Sequence, residues 1–314
     1  MSSLVSAFAH FARNSLITRP IRSWQLDSIA SREQDYVSRV ALLSGTSPLE
    51  LNGSRLRRKI ESAEEVFLLG SGSSVLDVPD IVWRRIEAQV SVGFGPWALH
   101  NFVPDVYAYG PTRGLTDYNR VIRDVMKRPD IVRKRPEILF LRSDLPEDLQ
   151  TLKSLPVSHL RSTLIYGRVS ALSNSRKEIA RQMVGWHRVA TRSRVGIAFD
   201  SGSSVVRLLS LALLLGAKKI VLVGVDLNTV EYFWEKNPVF LAENGFESFK
   251  TGQKNLVHDT LLASSRPLGV VPIVEDMSRL AQRERGCVIE VMSARSALAS
   301  VLPVYSPTGL ERST

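Results

Sequence analysis

The sequence holds a single cysteine, Cys287, among 314 residues. No intramolecular disulfide and no cysteine-based metal cluster can form, which fits a reducing compartment. Long apolar runs are also missing. The longest, Ser203–Gly216 and Ile220–Val225, are separated by Lys218 and Lys219. Both are too short to span a bilayer, so no transmembrane helix is expected. The five histidines include no His-Glu-x-x-His pair, which argues against zinc chemistry, and no metal is expected. There is no zinc-finger spacing, RNP-like strand or homeodomain-like helix. The densest basic runs, Arg55–Lys59 and Arg123–Arg135, carry no interleaved aromatics. Nucleic acid is therefore not an expected partner, although the net charge is +10.

What is present reads as globular. Hydrophobic residues make up 44% and charged residues 23%, ordinary values that exclude wholesale disorder. The dispersed positive charge suits nucleotide-sugar phosphates, acidic glycans or anionic lipid equally well. Near the N-terminus Leu4, Val5, Phe8, Phe11, Ala12 and Leu16 recur at helical spacing, and no acid precedes Asp27. Such a helix suits an anionic membrane face, a transit peptide, or packing on the main domain. A secretory signal is not expected, because the apolar region is interrupted too early.

From Glu64 the pattern changes to short apolar runs. Val66–Leu69, Val90–Phe94, Val106–Tyr109, Ile138–Leu141, Leu164–Tyr166, Ile220–Val225 and Cys287–Met292 read as strands. Helix-like segments lie between several of them, notably Val205–Leu215 and Met277–Arg285. The alternation predicts an α/β fold with a mostly parallel sheet and helices on both faces. Ligands of such sheets bind beyond the carboxyl ends of the strands. The aromatic-rich stretch Leu227–His258 (Tyr232, Phe233, Trp234, Phe240, Phe246, Phe249) reads as a lid or binding loop.

Two loops have the composition to hold an anion. Gly70-Ser71-Gly72-Ser73-Ser74 follows the first strong strand, where successive N–H groups and hydroxyls can cradle a phosphate. It lacks the third glycine of a dinucleotide fingerprint and the Gly-Lys-Ser/Thr of a Walker A loop, and a tight turn without a ligand has the same composition. Asp200-Ser201-Gly202-Ser203-Ser204 opens an apolar helix, which favours an anion, although serine capping alone explains it. That helix leads to a strand ending Gly224-Val225-Asp226, placing a carboxylate at the ligand-binding edge.

In this order the pieces resemble the bacterial family-42 sialyltransferases. There a Gly-Asn-Gly-Pro-Ser-type turn follows a strand, and a Ser-Ser pair opens an apolar helix. A strand ending Ser-Gly-Ile-Asp, an aromatic lid and a His-Ser come next. Gly70–Ser74, Ser203–Ser204, Leu215–Ile220, Gly224–Asp226, Tyr232/Trp234 and His258 stand in that order here, and Val288–Leu302 is similar to the closing strand and helix. Gly93–Asp105 and Gly224–Asn228 resemble Kdo-transferase-like and polysaccharide-cluster domains more than true sialyltransferases.

The resemblance implies a single Rossmann-like sheet with a small lid and metal-independent transfer from a CMP-sugar donor. It divides the chain into an N-terminal helical extension (1–62), a nucleotide-sugar domain (63–226), a lid (227–258) and the domain's C-terminal part (259–314). The expected activity moves an acidic sugar, such as sialic acid, Kdo or a relative, to a hydroxyl of a glycan or lipid-linked acceptor. A cytoplasmic setting follows, with peripheral inner-membrane contact through the N-terminus, in lipopolysaccharide or capsule synthesis.

His258 is the expected general base, and Asp226 the nucleophile if configuration is retained. Gly70, Ser71, Gly72, Ser73, Ser74, Gly95, Ser203, Ser204, Asn228, Tyr232 and Trp234 are the expected donor-binding residues. Ser71 and Gly95 stand where the family has asparagines. Trp234 and Asn228 stand at its tyrosine pair, so Tyr232 substitutes. These departures point to a different donor or to lost activity. Two other readings are a pterin diphosphokinase-like enzyme and a non-catalytic nucleotide- or glycan-binding module.

Overall fold

The computed structural model describes residues 23–109, 124–141, 150, 152–153, 155–171, 173, 175–229, 231–247 and 268–307. In chain order these form α1 (Ser23–Ser44), β1 (Ser47–Pro48), α2 (Arg55–Ser62), β2 (Val66–Leu69), α3 (Asp80–Ala88), β3 (Val90–Phe94), β4 (Val106–Tyr109), α4 (Pro129–Lys134), β5 (Glu137–Leu141) and α5 (Val157–Arg161). Then follow β6 (Thr163–Ser170), α6 (Arg176–Ala190), β7 (Ile197–Asp200), α7 (Ser204–Leu214), β8 (Lys219–Val223), α8 (Phe233–Lys236), α9 (Val239–Glu243), α10 (Val270–Arg285) and β9 (Val288–Val291).

The nine strands make one sheet in the order β1-β6-β5-β4-β3-β2-β8-β9, with β7 also paired to β6. Every strand pairing is parallel. Starting from β2 the chain builds outward through β3, β4, β5 and β6, and later returns to place β8 and β9 on the other flank of β2. Strand order therefore reverses between β2 and β8. In open α/β sheets, the crevice outside the carboxyl ends of strands at such a reversal is where ligands bind.

Sequence explains the central pair. Val66-Phe67-Leu68-Leu69 is buried at all four positions, and Ile220–Val223 is buried throughout. Runs apolar on both faces need cover on both sides. Among the helices α7 is hydrophobic nearly all round and buried at nine of its positions. A helix of that kind belongs inside a core and not on a surface. It lies between β7 and α10, and α10 also packs against α6. In the stretch expected as an N-terminal extension, α1 packs on β6 and α6, and β1 joins the sheet beside β6.

β7 and α10 are among the elements that differ from the sequence reading. β7 was not expected, since Ile197-Ala198-Phe199 runs straight into the Asp200–Ser204 loop. α10 begins at Val270, seven residues before the expected start at Met277, with Pro272 in its first turn. Proline there is harmless, because the N–H it lacks has no intrahelical partner anyway.

Candidate functional site

The turns after β2 and β8 fit together through glycine. The β2–β8 register, Leu69 opposite Val223, continues outward as Gly70 N–H donates to Val223 O at 2.7 Å and Gly72 N–H to Gly224 O at 2.7 Å. Gly224 has φ +64°, and a Cβ there would lie 2.3 Å from Val75 Cγ2 and 2.4 Å from Gly70 O. A Cβ on Gly72 would lie 2.4 Å from Asp226 Oδ2. Neither position has space for a side chain.

Asp226 closes this turn. It is 5% exposed, and its Oδ2 accepts from Ser74 N–H at 3.0 Å while Oδ1 accepts from the Ser74 hydroxyl. Its carbonyl accepts from Asn228 N–H at 2.8 Å and Ala297 N–H at 2.9 Å. A nucleophilic carboxylate needs an oxygen open to substrate, and both oxygens here are committed to Ser74. Asn228, expected at the donor, is exposed and donates through Nδ2 to Arg295 O.

Residues 231–247 roof the first loop. Glu231 O accepts from Ser73 N–H at 3.1 Å, and Phe233 N–H donates to Ser71 O at 3.1 Å, forming an antiparallel bridge between Gly72 and Tyr232. Tyr232 is half-buried and stacks on Trp234 at 4.5 Å and 8°. Trp234 itself is fully buried, so the expected donor contact through its ring is not open. The indole is the more apolar of the two and takes the inner place.

The loop does not present a row of free amides as its composition suggested. The N–H groups of Gly70, Gly72, Ser73 and Ser74 are committed to β8, the lid and Asp226. Ser71 is the exception. It is 8% exposed, and its Oγ is buried with no hydrogen-bond partner. Among the described residues its N–H has none either. A Cβ on Gly95, in the turn after β3, would lie 3.6 Å from Ser71 Oγ. Buried polar groups are nearly always paired, so an unpaired hydroxyl here marks a place for an acceptor.

The turn after β3 carries His100, which stacks on Trp97 at 4.6 Å and Phe240 at 5.0 Å and meets Phe233 edge-on at 5.2 Å. Its Nδ1 accepts from Phe102 N–H at 3.0 Å, which leaves the proton on Nε2. Burial, and then the nearby Arg128 charge, push its pKa down to about 4. It is a neutral plate joining the β3 turn to the lid.

The second loop is built differently from its serine composition. β7 is parallel to the rest, so Asp200–Ser204 also lies at the carboxyl edge, but β6, β5, β4 and β3 separate β7 from β2 in sheet order. Asp200, 3% exposed, pairs with Arg168 at 2.8 Å and Arg207 at 3.0 Å and accepts from Gly202 N–H at 2.6 Å. Arg207 Nη2 also donates to Ser204 Oγ at 2.8 Å, and Ser203 caps α7 without a side-chain cap bond. The two arginines are 32 and 7 residues from Asp200, and the serine motif gave no sign of them.

Burial pushes the Asp200 pKa up, but the pull of Arg207 and Arg168 outweighs it and leaves the carboxyl below its ordinary value. The folded state then binds fewer protons than the unfolded chain. The stabilisation is full above about pH 4 and is lost as pH falls below that. Asp200→Asn should cost about 2 kcal/mol at neutral pH, between surface and buried-pair values because Arg168 is partly exposed. The difference from wild type should shrink below about pH 4. Urea unfolding at pH 7 and pH 3.5 checks this, and a pH-independent difference contradicts it.

His258, with the end of the expected lid, lies outside the described residues. Among the described residues no group of three or more His, Cys, Asp or Glu side chains is placed to hold a metal, and no helix is long and apolar enough to cross a membrane.

Three glycosyltransferases are among the solved structures similar to this chain. One is the MAf glycosyltransferase of Magnetospirillum magneticum AMB-1, at 16% identity and TM-score 0.47, matched over 90% of this chain and 40% of that one. The Campylobacter jejuni sialyltransferase CstII, solved with the substrate analogue CMP-3FNeuAc, matches at 12% identity and TM-score 0.39, over 77% of this chain and 86% of that one. The α-2,3-sialyltransferase Cst-I of the same organism matches at 12% identity and TM-score 0.43, over 78% and 81%. This chain thus spans less than half the length of the Magnetospirillum protein. No protein-family model and no curated protein matches the sequence.

Proposed function

We propose that the chain is a glycosyltransferase that binds a CMP-activated acidic sugar at the carboxyl edge of the sheet, beside the Ser71 loop and the β3 turn, and passes the sugar to a glycan or glycolipid hydroxyl. The observation that carries this reading is Ser71. At the point where strand order reverses, a buried hydroxyl without a partner sits beneath the lid backbone and opposite a glycine. A phosphate oxygen is an acceptor suited to such a donor. The order of motifs resembling the family-42 sialyltransferases supports cytidine as the base.

In this reading Asp226 is a positioning residue, since its bonds to Ser74 set the path of the Ser71 loop. The acceptor oxygen attacks the anomeric carbon as the bond to the CMP phosphate breaks. CMP leaves with the electron pair, and His258 takes the acceptor's proton. Lid residues exclude water, so that the sugar is transferred and not hydrolysed. The N-terminal residues hold the enzyme at a membrane face where lipid-linked acceptors lie.

A thermal-shift panel tests the donor class. A ligand at a hundredfold over its Kd adds about 2.7 kcal/mol of stability. CMP and CDP should raise the melting temperature, and UDP, GDP and ADP should not. Shifts with UDP or ADP and none with CMP would sink the cytidine reading.

A further inference from the structure

We propose that Arg128 is a positioning residue, a clasp that fastens the lid to the β3 turn and so keeps Ser71 roofed. The inference rests on the reading of Ser71 as a ligand contact. Arg128 caps the start of α4, within the basic run Arg123–Arg135. Its guanidinium reaches three separate parts of the molecule.

Nε and Nη2 grip the Asp130 carboxylate at 3.0 and 2.6 Å, which fixes the plane of the fork. The hydrogen bond and charge of Arg128 hold the Asp130 carboxyl below its ordinary range. From that plane Nη1 donates to Ala98 O at 3.2 Å and His100 O at 3.3 Å, both in the β3 turn, and to Asn244 Oδ1 at 3.1 Å in the lid. Asn244 returns the contact by donating to Leu99 O at 3.0 Å. Asn101 Nδ2 adds a bond to Glu243 Oε2 at 2.9 Å.

The lid is thus held at two ends. Its first end is bonded to Ser71 and Ser73 through backbone atoms of Phe233 and Glu231. The second is Asn244, and between the two Phe233 and Phe240 lie against His100. The first end bonds to the Ser71 loop and the second does not, so the second can be altered without touching that loop. A lysine keeps the charge at 128 but lacks the planar fork, so it cannot serve the carboxylate, the carbonyls and the amide together.

The test uses hydrogen exchange and cytidine nucleotide binding on the full chain. In Arg128→Lys and Arg128→Gln, amides of residues 239–245 should exchange about tenfold faster or more, the scale of losing charge-assisted bonds. Amides of β2 and β8 should keep their protection, and CMP should bind about tenfold more weakly. Asn244→Ala, which removes the lid side of the same contact, carries the test if the Arg128 variants fail to fold. Unchanged lid exchange overturns the clasp, as does a loosened lid with wild-type CMP affinity. A wild-type chain that binds no cytidine nucleotide sinks the functional reading, and lid exchange then decides the clasp alone.

Discussion

Gly224→Ala should destabilise the fold by about 3–5 kcal/mol, from left-handed backbone cost and overpacking combined. The added methyl would lie 2.4 Å from Gly70 O and 2.3 Å from Val75 Cγ2 at a residue with φ +64°. Gly70 cannot retreat, because its own N–H is bonded to Val223 O in the β2–β8 ladder. The clash therefore acts on the two central strands and on the Ser71 loop between them. Gly245 provides the control: its φ is +73°, and nothing lies within 4 Å of an added Cβ. Gly245→Ala pays only the backbone cost, about 1–2 kcal/mol. Urea unfolding of both variants separates the two terms. Equal losses would show that the β2 and β8 turns do not interlock as described.

His258→Ala should lower sugar transfer by about 10²–10⁴-fold, the usual contribution of a general base. The acceptor hydroxyl is a poor nucleophile until its proton leaves, and a neutral imidazole accepts that proton near pH 7. His100 does not fit the role, since aromatic rings enclose it and its Nδ1 already accepts from Phe102 N–H. Asp226 fits it no better, with both oxygens bonded to Ser74. CMP affinity and melting temperature should stay at wild-type values in His258→Ala. Turnover close to wild type would remove His258 from the mechanism. The initial product's stereochemistry by NMR would then show whether a covalent intermediate forms.

The two central strands were legible because Val66–Leu69 and Ile220–Val223 are unbroken apolar runs ended by glycine. β7 was hidden because Ile197-Ala198-Phe199 runs directly into the serine motif, which reads as a loop opening a helix. The two turns at the strand reversal were legible from their glycines. What those turns do with their hydrogen bonds was not. Ser74 and Asp226 are 152 residues apart, and Ser73 is satisfied by Glu231 from the lid. Local sequence marks a loop able to offer amides, but only tertiary structure shows which of them are already committed. The same holds for Tyr232 and Trp234, of which the fold covers Trp234 and leaves Tyr232 half-buried. Arg128, Arg168 and Arg207 act through planar charge networks formed across the fold, and no spacing rule announces such networks.

In the proposed function Ser71 contacts the nucleotide of the donor. Calorimetric titration of CMP into wild type and Ser71→Ala tests it most directly. The Ser71 hydroxyl has no partner in the unliganded fold, so the variant should melt at or slightly above the wild-type temperature. Its affinity for CMP should fall about tenfold, the scale of one hydrogen bond to a charged group. Equal CMP affinity in the two proteins, or a wild type that does not bind CMP, would contradict the account.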